Sequence, residues 1–323
     1  MARGYHWIGS PAPGAREAPP YRTIGVPRRR STAAVEFSRR ALIEEPVPDV
    51  RPFRALRYES EAVGDLSGVV SPLYDAISPT EAAALLARHS RNVVRLDLPI
   101  GEQGDGPDDR YRRAARTFAA WRSDGTFHKD PRPSLYLYEQ LDREPGSTVE
   151  RRRRGVFGRL RLEPFGPEAG VLPQAASIPA QREDRYKLLR ASGVNTGPIV
   201  CLFSDPTSGA SRLLATAGRS TPDIDLTDPD GVRHRIWALA ADGAEAEAVA
   251  GLLAAVGAGP VTIVDGQARY ESALRYRDER RMSRSCEEDP AFDYILALFV
   301  EGSDVAAARL APLTGLVLNP HEW

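Results

Sequence analysis

Short apolar runs of strand type alternate with amphipathic stretches of helical period along most of this chain. That alternation predicts an α/β fold, a mixed sheet with flanking helices. Three observations carry the expectation. Residues 261–264 (Val-Thr-Ile-Val) and 292–300 (Phe-Asp-Tyr-Ile-Leu-Ala-Leu-Phe-Val) are apolar runs of the length of buried strands. Residues 110–124 place Ala114, Ala115, Phe118 and Trp121 on one helical face, with Gly125 at the C-cap. The stretch Ser78-Pro79-Thr80-Glu81 joins a good N-cap to Pro at N1 and Glu at N3, a capping box that predicts a helix to about His89.

The remaining elements follow in order. Residues 1–49 are rich in Pro, Arg, Gly and Ala without sustained periodicity and read as a flexible extension. Its arginines 28–30 read as a solvated charge run, and residues 50–323 as a single domain. Residues 69–78 read as a strand end and loop, and 92–98 alternate like a half-buried strand. Residues 134–139 and 155–162 form two strands around a charged connection holding arginines 151–154, a solvated hairpin arm. Trp121, Tyr136 and Tyr138 are core candidates. A loop at 172–185 leads to a helix at 185–191, a strand at 195–203, and loop or weak helix at 204–222. Residues 230–237 are a hairpin turn and strand on which His234 reads as a packed histidine, and 244–256 is an alanine-rich helix.

Composition narrows the function classes. The chain has 323 residues, 42% hydrophobic and 27% charged, enough for a substantial core. A net charge of -1 argues against nucleic acid as the partner. No apolar run approaches the ~20 residues that span a bilayer. The N-terminus lacks a secretory apolar core, so the expected compartment is the cytoplasm. Two cysteines make neither a disulfide framework nor a zinc site, and Cys201 reads as a small core residue. The five histidines, at 6, 89, 128, 234 and 321, show no metal-ligand spacing.

The stretch with most chemical content is 260–274. A strand to Val264, a turn at Asp265-Gly266 and a helix over 268–281 leave free backbone N–H groups aimed at one spot, where the helix dipole favours negative charge. Arg269 in the first turn adds a guanidinium. This outlines a phosphate or carboxylate site, although Asp-Gly also serves simple turns.

The box Asp265-Gly266-Gln267-Ala268-Arg269-Tyr270 resembles the Asp-Gly-His-His-Arg-Tyr signature of the domain-of-unknown-function 1015 family. That signature is in turn similar to the nucleotide-binding box of the ParB/sulfiredoxin-like superfamily, which includes kinases of free serine. Further boxes match in order over residues 50 to about 300: Ser71-Pro-Leu-Tyr-Asp75, then Arg182 with Asp184 and Arg185, then 230–237. Against the family pattern the chain is C-terminally short.

The resemblance implies an ATP or ADP site with Mg²⁺. Asp265, Gly266, Gln267, Arg269, Tyr270, Arg182 and Arg185 would bind the nucleotide, and Asp75, Asp184 and Asp265 would offer oxygen ligands to the metal. Gln267 and Ala268 stand where the family carries two histidines, and Gln174 and Ala175 where it carries His-Glu. Thr314 and Gly315 fall where relatives carry Pro, His and Arg. Loss of a positioned base removes ~10²–10⁴-fold in rate. The expectation is therefore a nucleotide- or phosphometabolite-binding paralogue with a degraded active site. The alternatives are an active small-molecule kinase using Asp75 or Asp184 as base, and a protein-interaction or ParB-like module.

Overall fold

The computed structural model describes residues 46–143, 146–174, 176–283, 288–302 and 312–321. Residues 1–45 with arginines 28–30, and also Ala175, Ala311 and Trp323, lie outside the described residues.

In chain order the first elements are β1 (Val50–Arg51), β2 (Leu56–Tyr58), α1 (Ser60–Val63), α2 (Pro79–Arg88), α3 (Val94–Asp97), α4 (Asp109–Ser123), β3 (Phe127–Lys129), β4 (Ser134–Arg143) and β5 (Glu150–Arg161). Then come β6 (Val171–Leu172), α5 (Pro179–Ser192), β7 (Val194–Asn195), β8 (Ile199–Phe203), α6 (Gly209–Ala217), β9 (Ile224–Thr227) and β10 (Arg233–Ala240). The last are α7 (Ala246–Val256), β11 (Val261–Asp265), α8 (Gln267–Ser283), β12 (Tyr294–Glu301) and β13 (Asn319–Pro320).

Among the described residues the main sheet runs β6-β11-β8-β12-β5-β4-β10-β9, with β1 also paired to β5. It is mixed: β6 with β11 and β8 with β12 are parallel, and the other pairs are antiparallel. The α/β expectation holds. Strand period sends neighbours to opposite faces. Leu135 and Leu137 pack under the helices with Leu189, Leu214, Leu252 and Tyr270. Tyr136 and Tyr138 pack on the other face with Leu313, Leu316 and Val317 from the C-terminal segment. A smaller core gathers Tyr58, Leu96, Phe118, Trp121 and Phe127. Trp121, Tyr136, Tyr138 and Cys201 are buried, as expected.

The capping box is present: the Ser78 hydroxyl accepts from Glu81 N at 3.3 Å and the Glu81 carboxylate accepts from Ser78 N at 2.8 Å. His234 is also packed as read, with Tyr138 Oη 2.7 Å from Nδ1 and Asp228 Oδ2 3.1 Å from Nε2.

Four expectations need correction. Residues 92–98 are not a strand but a turn leading into α3. The buried Asn92 amide donates to the Gly68 and Val70 carbonyls, and its oxygen accepts from Val94 N at 3.0 Å, which turns the chain. Val93, Val94, Leu96 and Asp97 are all buried, so the alternation did not mark a solvent face. Arginines 151–154 lie within β5 rather than in a connection. Glu139 and Arg154, and Asp142 and Arg151, are cross-strand partners, and these ion pairs extend the ladder. The expected strand over 195–203 is broken by Gly197-Pro198 into β7, which pairs with β13, and β8, which joins the main sheet. Helix α5 begins at Pro179, six residues before the expected start, with Pro at N1.

Candidate functional site

Strand β11 turns into α8 as the sequence predicts. A register shift between Ile263 and Asp265 marks a bulge at the strand end. Gly266 follows with φ +82°, and a Cβ there would stand 3.0 Å from Ile199 Cγ2 and 3.1 Å from Ile199 Cα. Conformation and space both demand glycine. Arg269 is the third residue of α8 and is 7% exposed.

Three distant segments meet Arg269. The connection between α1 and α2 brings Tyr74, whose ring lies under two guanidinium groups, Arg185 at 3.8 Å and Arg269 at 4.5 Å. Burial raises the Tyr74 pKa, against the two arginine charges. The end of α3 brings Asp97, 1% exposed, with Oδ2 3.8 Å from Arg269 Nη2. The bend between β7 and β8 brings Thr196, which donates to Asp97 Oδ1 at 2.6 Å, and Gly197. A Cβ on Gly197 would stand 3.4 Å from Arg269 Nη2 and 3.1 Å from Thr314 Oγ1, so glycine here keeps the approach open. A cavity of about 30 Å³, lined among others by Asp97, Arg185, Thr196, Gly197, Arg269 and Ser272, opens at this junction. One water needs ~10–15 Å³, so there is room for a carboxylate or a phosphoryl group.

Arg185 and Arg269 differ in their partners. Arg185 donates to the Asp97 carbonyl at 2.6 Å and through Nε to Asp184 at 2.9 Å. Burial lowers its pKa, but Asp97 and Asp184 outweigh that and hold it raised. Arg269 Nη1 and Nη2 are buried and donate no hydrogen bond, and Asp97 Oδ2 and Thr314 Oγ1 are likewise buried without a hydrogen-bond partner. A cluster of unmade hydrogen bonds inside a protein is uncommon and calls for an explanation.

The other expected site residues divide in two. Asp265 adjoins Arg269; burial first, then the neighbouring Asp75 carboxylate, raises its pKa, while Arg269 opposes. Asp184 is not with them. It accepts from Arg110 at 2.8 Å, from Tyr111 at 2.7 Å and from Arg185, and although burial pushes its pKa up, these cations and hydrogen bonds hold it lowered. The expected carboxylate trio of Asp75, Asp184 and Asp265 is therefore not assembled, and among the described residues no three His, Cys, Asp or Glu side chains gather as metal ligands. Arg182 is engaged by Glu271 at 2.9 Å and by Ser177. Gln267 accepts from Gln174 N at 3.0 Å and donates to Glu271 at 2.8 Å, tying α8 to the preceding loop. Tyr270 points into the core, its hydroxyl donating to the Glu163 carbonyl and its ring stacked on Phe165, so it does not face the cavity.

Tyr74, Asp97, Thr196 and Gly197 were not legible as site residues. Asp97 was hidden in an apolar stretch whose alternation assigned it to solvent, whereas a lone carboxylate within such a run is itself a signal of a buried partner. A second cavity, of about 120 Å³, lies between α2, Pro72 and the 228–230 turn, and none of the expected site residues lines it.

No helix among the described residues is long and apolar enough to cross a membrane. No curated protein and no solved structure matches the chain. The family model described as "Protein of unknown function (DUF1015)" matches residues 50–308, which contain the Tyr74 loop, Asp97, both arginines and the β11–α8 turn. On that match the chain belongs to the DUF1015 family.

Proposed function

We propose that this chain is a binding member of its family, holding a nucleotide or phosphorylated metabolite by its oxyanion and turning over little or none of it. The observation that carries this reading is the buried fork of Arg269, with two terminal nitrogens that meet no hydrogen-bond acceptor beside a cavity. Leaving a buried donor unsatisfied costs about 1–3 kcal/mol, more for a charged group, and a bound oxyanion would recover it. In this reading β11 and α8 form a ParB/sulfiredoxin-like nucleotide-binding region in a cytoplasmic protein. The cavity admits a head group rather than a base and sugar, so a nucleotide would reach in by its phosphates. Mg²⁺ arriving with ATP or ADP would meet Asp75 and Asp265.

Weak catalysis is supported by the state of the candidate bases. The Asp184 carboxylate is spent on Arg110, Tyr111 and Arg185, and its lowered pKa makes it a poor base. Gln267, at a family histidine position, ties two segments together. A second reading, an active small-molecule kinase, has one observation in its favour: the raised pKa of Asp265 beside Asp75 moves that carboxylate toward the range of a general base.

The deciding experiment is calorimetric titration of ATP, with and without Mg²⁺, and of small phosphorylated metabolites, against wild type and Arg269→Ala. Binding in wild type that weakens at least about tenfold in the variant is expected. The absence of both heat and thermal shift in wild type would remove the binding reading. Nucleotide turnover with a hydroxylated acceptor, abolished by Asp265→Asn, would favour the kinase.

A further inference from the structure

The buried carboxylate beside Arg269 restricts which oxyanion can sit there. Asp97 accepts at Oδ1 from Thr196 at 2.6 Å, with Arg185 Nη1 3.4 Å away. Its Oδ2 accepts nothing and lies 3.8 Å from Arg269 Nη2. Both side chains are more than nine-tenths buried, and both line the same cavity. A ligand oxygen that takes the Arg269 donors is therefore brought next to a carboxylate oxygen with a lone pair to spare.

Two bare anionic oxygens at such separation in a desolvated cavity repel each other. A proton on the ligand changes the sign, because an O–H or N–H donated to Asp97 Oδ2 becomes a charge-assisted hydrogen bond. The unspent groups lining the cavity are thus a donor fork and an acceptor, a set complementary to a head group that is an anion and a donor together.

We infer that the Arg269–Asp97 site selects an oxyanion carrying its own hydrogen-bond donor, a phosphate ester entering as its singly protonated form, and disfavours oxyanions without one. Hydrogen phosphate meets the requirement, with the donor on the oxyanion itself. So does a small carboxylate with an adjacent hydroxyl. Sulfate and acetate meet only half of it. Asp97 acts as the selectivity element and Arg269 as the anion anchor. The inference rests on the reading that Arg269 binds an oxyanion, and adds to it a requirement for a proton.

The test is calorimetric titration of the full chain with four probes in two pairs, at neutral pH and constant ionic strength: inorganic phosphate against sulfate, and glycolate against acetate. The expected result is a preference of at least about tenfold for the donor-bearing member of one or both pairs, lost in Arg269→Ala. A preference in the phosphate pair alone identifies a protonated phosphoryl ligand, and one in the glycolate pair alone a hydroxylated carboxylate. Asp97→Asn, whose amide brings donors of its own, should bring sulfate to within about threefold of phosphate. Should that variant fail to fold, the wild-type ratios still decide the matter. Sulfate and acetate binding as tightly as their partners, in an Arg269-dependent way, would overturn the selectivity while leaving the anion site standing. No binding by any of the four would sink both.

Discussion

Helices α5 and α8 each bring a buried arginine to the ring of Tyr74, and the two arginines are in opposite states. Arg185 is surrounded by the Asp97 carbonyl, the Asp97 carboxylate and Asp184, and Asp184 is in turn held by Arg110 and Tyr111. Arg269 has an aromatic face and a carboxylate 3.8 Å away, and its terminal nitrogens make no hydrogen bond. Two buried arginines on one aromatic ring thus carry different meanings. A buried charge with a full set of partners is part of the scaffold; one with an unfinished set is where a ligand belongs.

This contrast can be broken by a graded set of substitutions read by urea denaturation. Arg185→Met should have the largest effect, about 3–5 kcal/mol of lost stability, because it takes a buried, hydrogen-bonded cation from both Asp97 and Asp184. Asp184→Asn should follow, at about 1–3 kcal/mol, through loss of charge-assisted bonds to Arg185, Arg110 and Tyr111. Ser78→Ala, remote from the site, calibrates the scale at about 1 kcal/mol for a lost N-cap. Arg269→Met should be smallest, under about 1 kcal/mol, since its terminal nitrogens make no hydrogen bonds and Asp97 keeps Arg185 as a cation. If Arg269→Met proves as damaging as Arg185→Met, the two boxes do not differ and Arg269 is scaffold as well.

The two carboxylates sharpen the same point through pH. The Asp184 pKa is lowered in the folded protein, so its stabilising contribution is full above the unfolded carboxylate value and is lost as pH falls through the folded one. The Asp265 pKa is raised, so the folded state holds its proton longer than the unfolded chain, and stability drains away as pH rises through the raised value. Asp184→Asn should therefore lower stability at pH 7, whereas Asp265→Asn should raise it. Both differences should shrink as pH falls through the folded values of the two carboxylates. Denaturation curves at pH 2, 5 and 7 would check the signs. Equal signs at pH 7 would contradict the assignment of one carboxylate to scaffold and the other to site.

Much of the local structure was legible because its causes are local. Ser78, Pro79 and Glu81 carry a helix start within four residues, and Asp265-Gly266 carries a turn that no side chain at Gly266 would permit. Where local cues ran out, the expectations slipped. The alternation at 92–98 looked like a strand because two-sided burial erases the difference between periods 2 and 3.6, and the Asn92 hydrogen bonds that turn the chain reach back to Gly68 and Val70. Arginines 151–154 looked like a solvated arm because their partners, Glu139 and Asp142, lie on the other strand of the hairpin.

By itself the sequence determined the α/β class, the strand–turn–helix at Asp265-Gly266 and the position of Arg269 in the first turn. Each of these depends on residues within about one helical turn of each other. Only the tertiary structure decided which charges are spent. Arg185 and Arg269 are both buried arginines on the Tyr74 ring, but Asp97, Thr196 and Tyr74 come to them from three other segments, and Asp184 alone is a chain neighbour. A hydrogen bond made or left unmade depends on atoms a few ångströms away in space and scores of residues away in the chain. The difference between scaffold and site therefore exists only once the chain has folded.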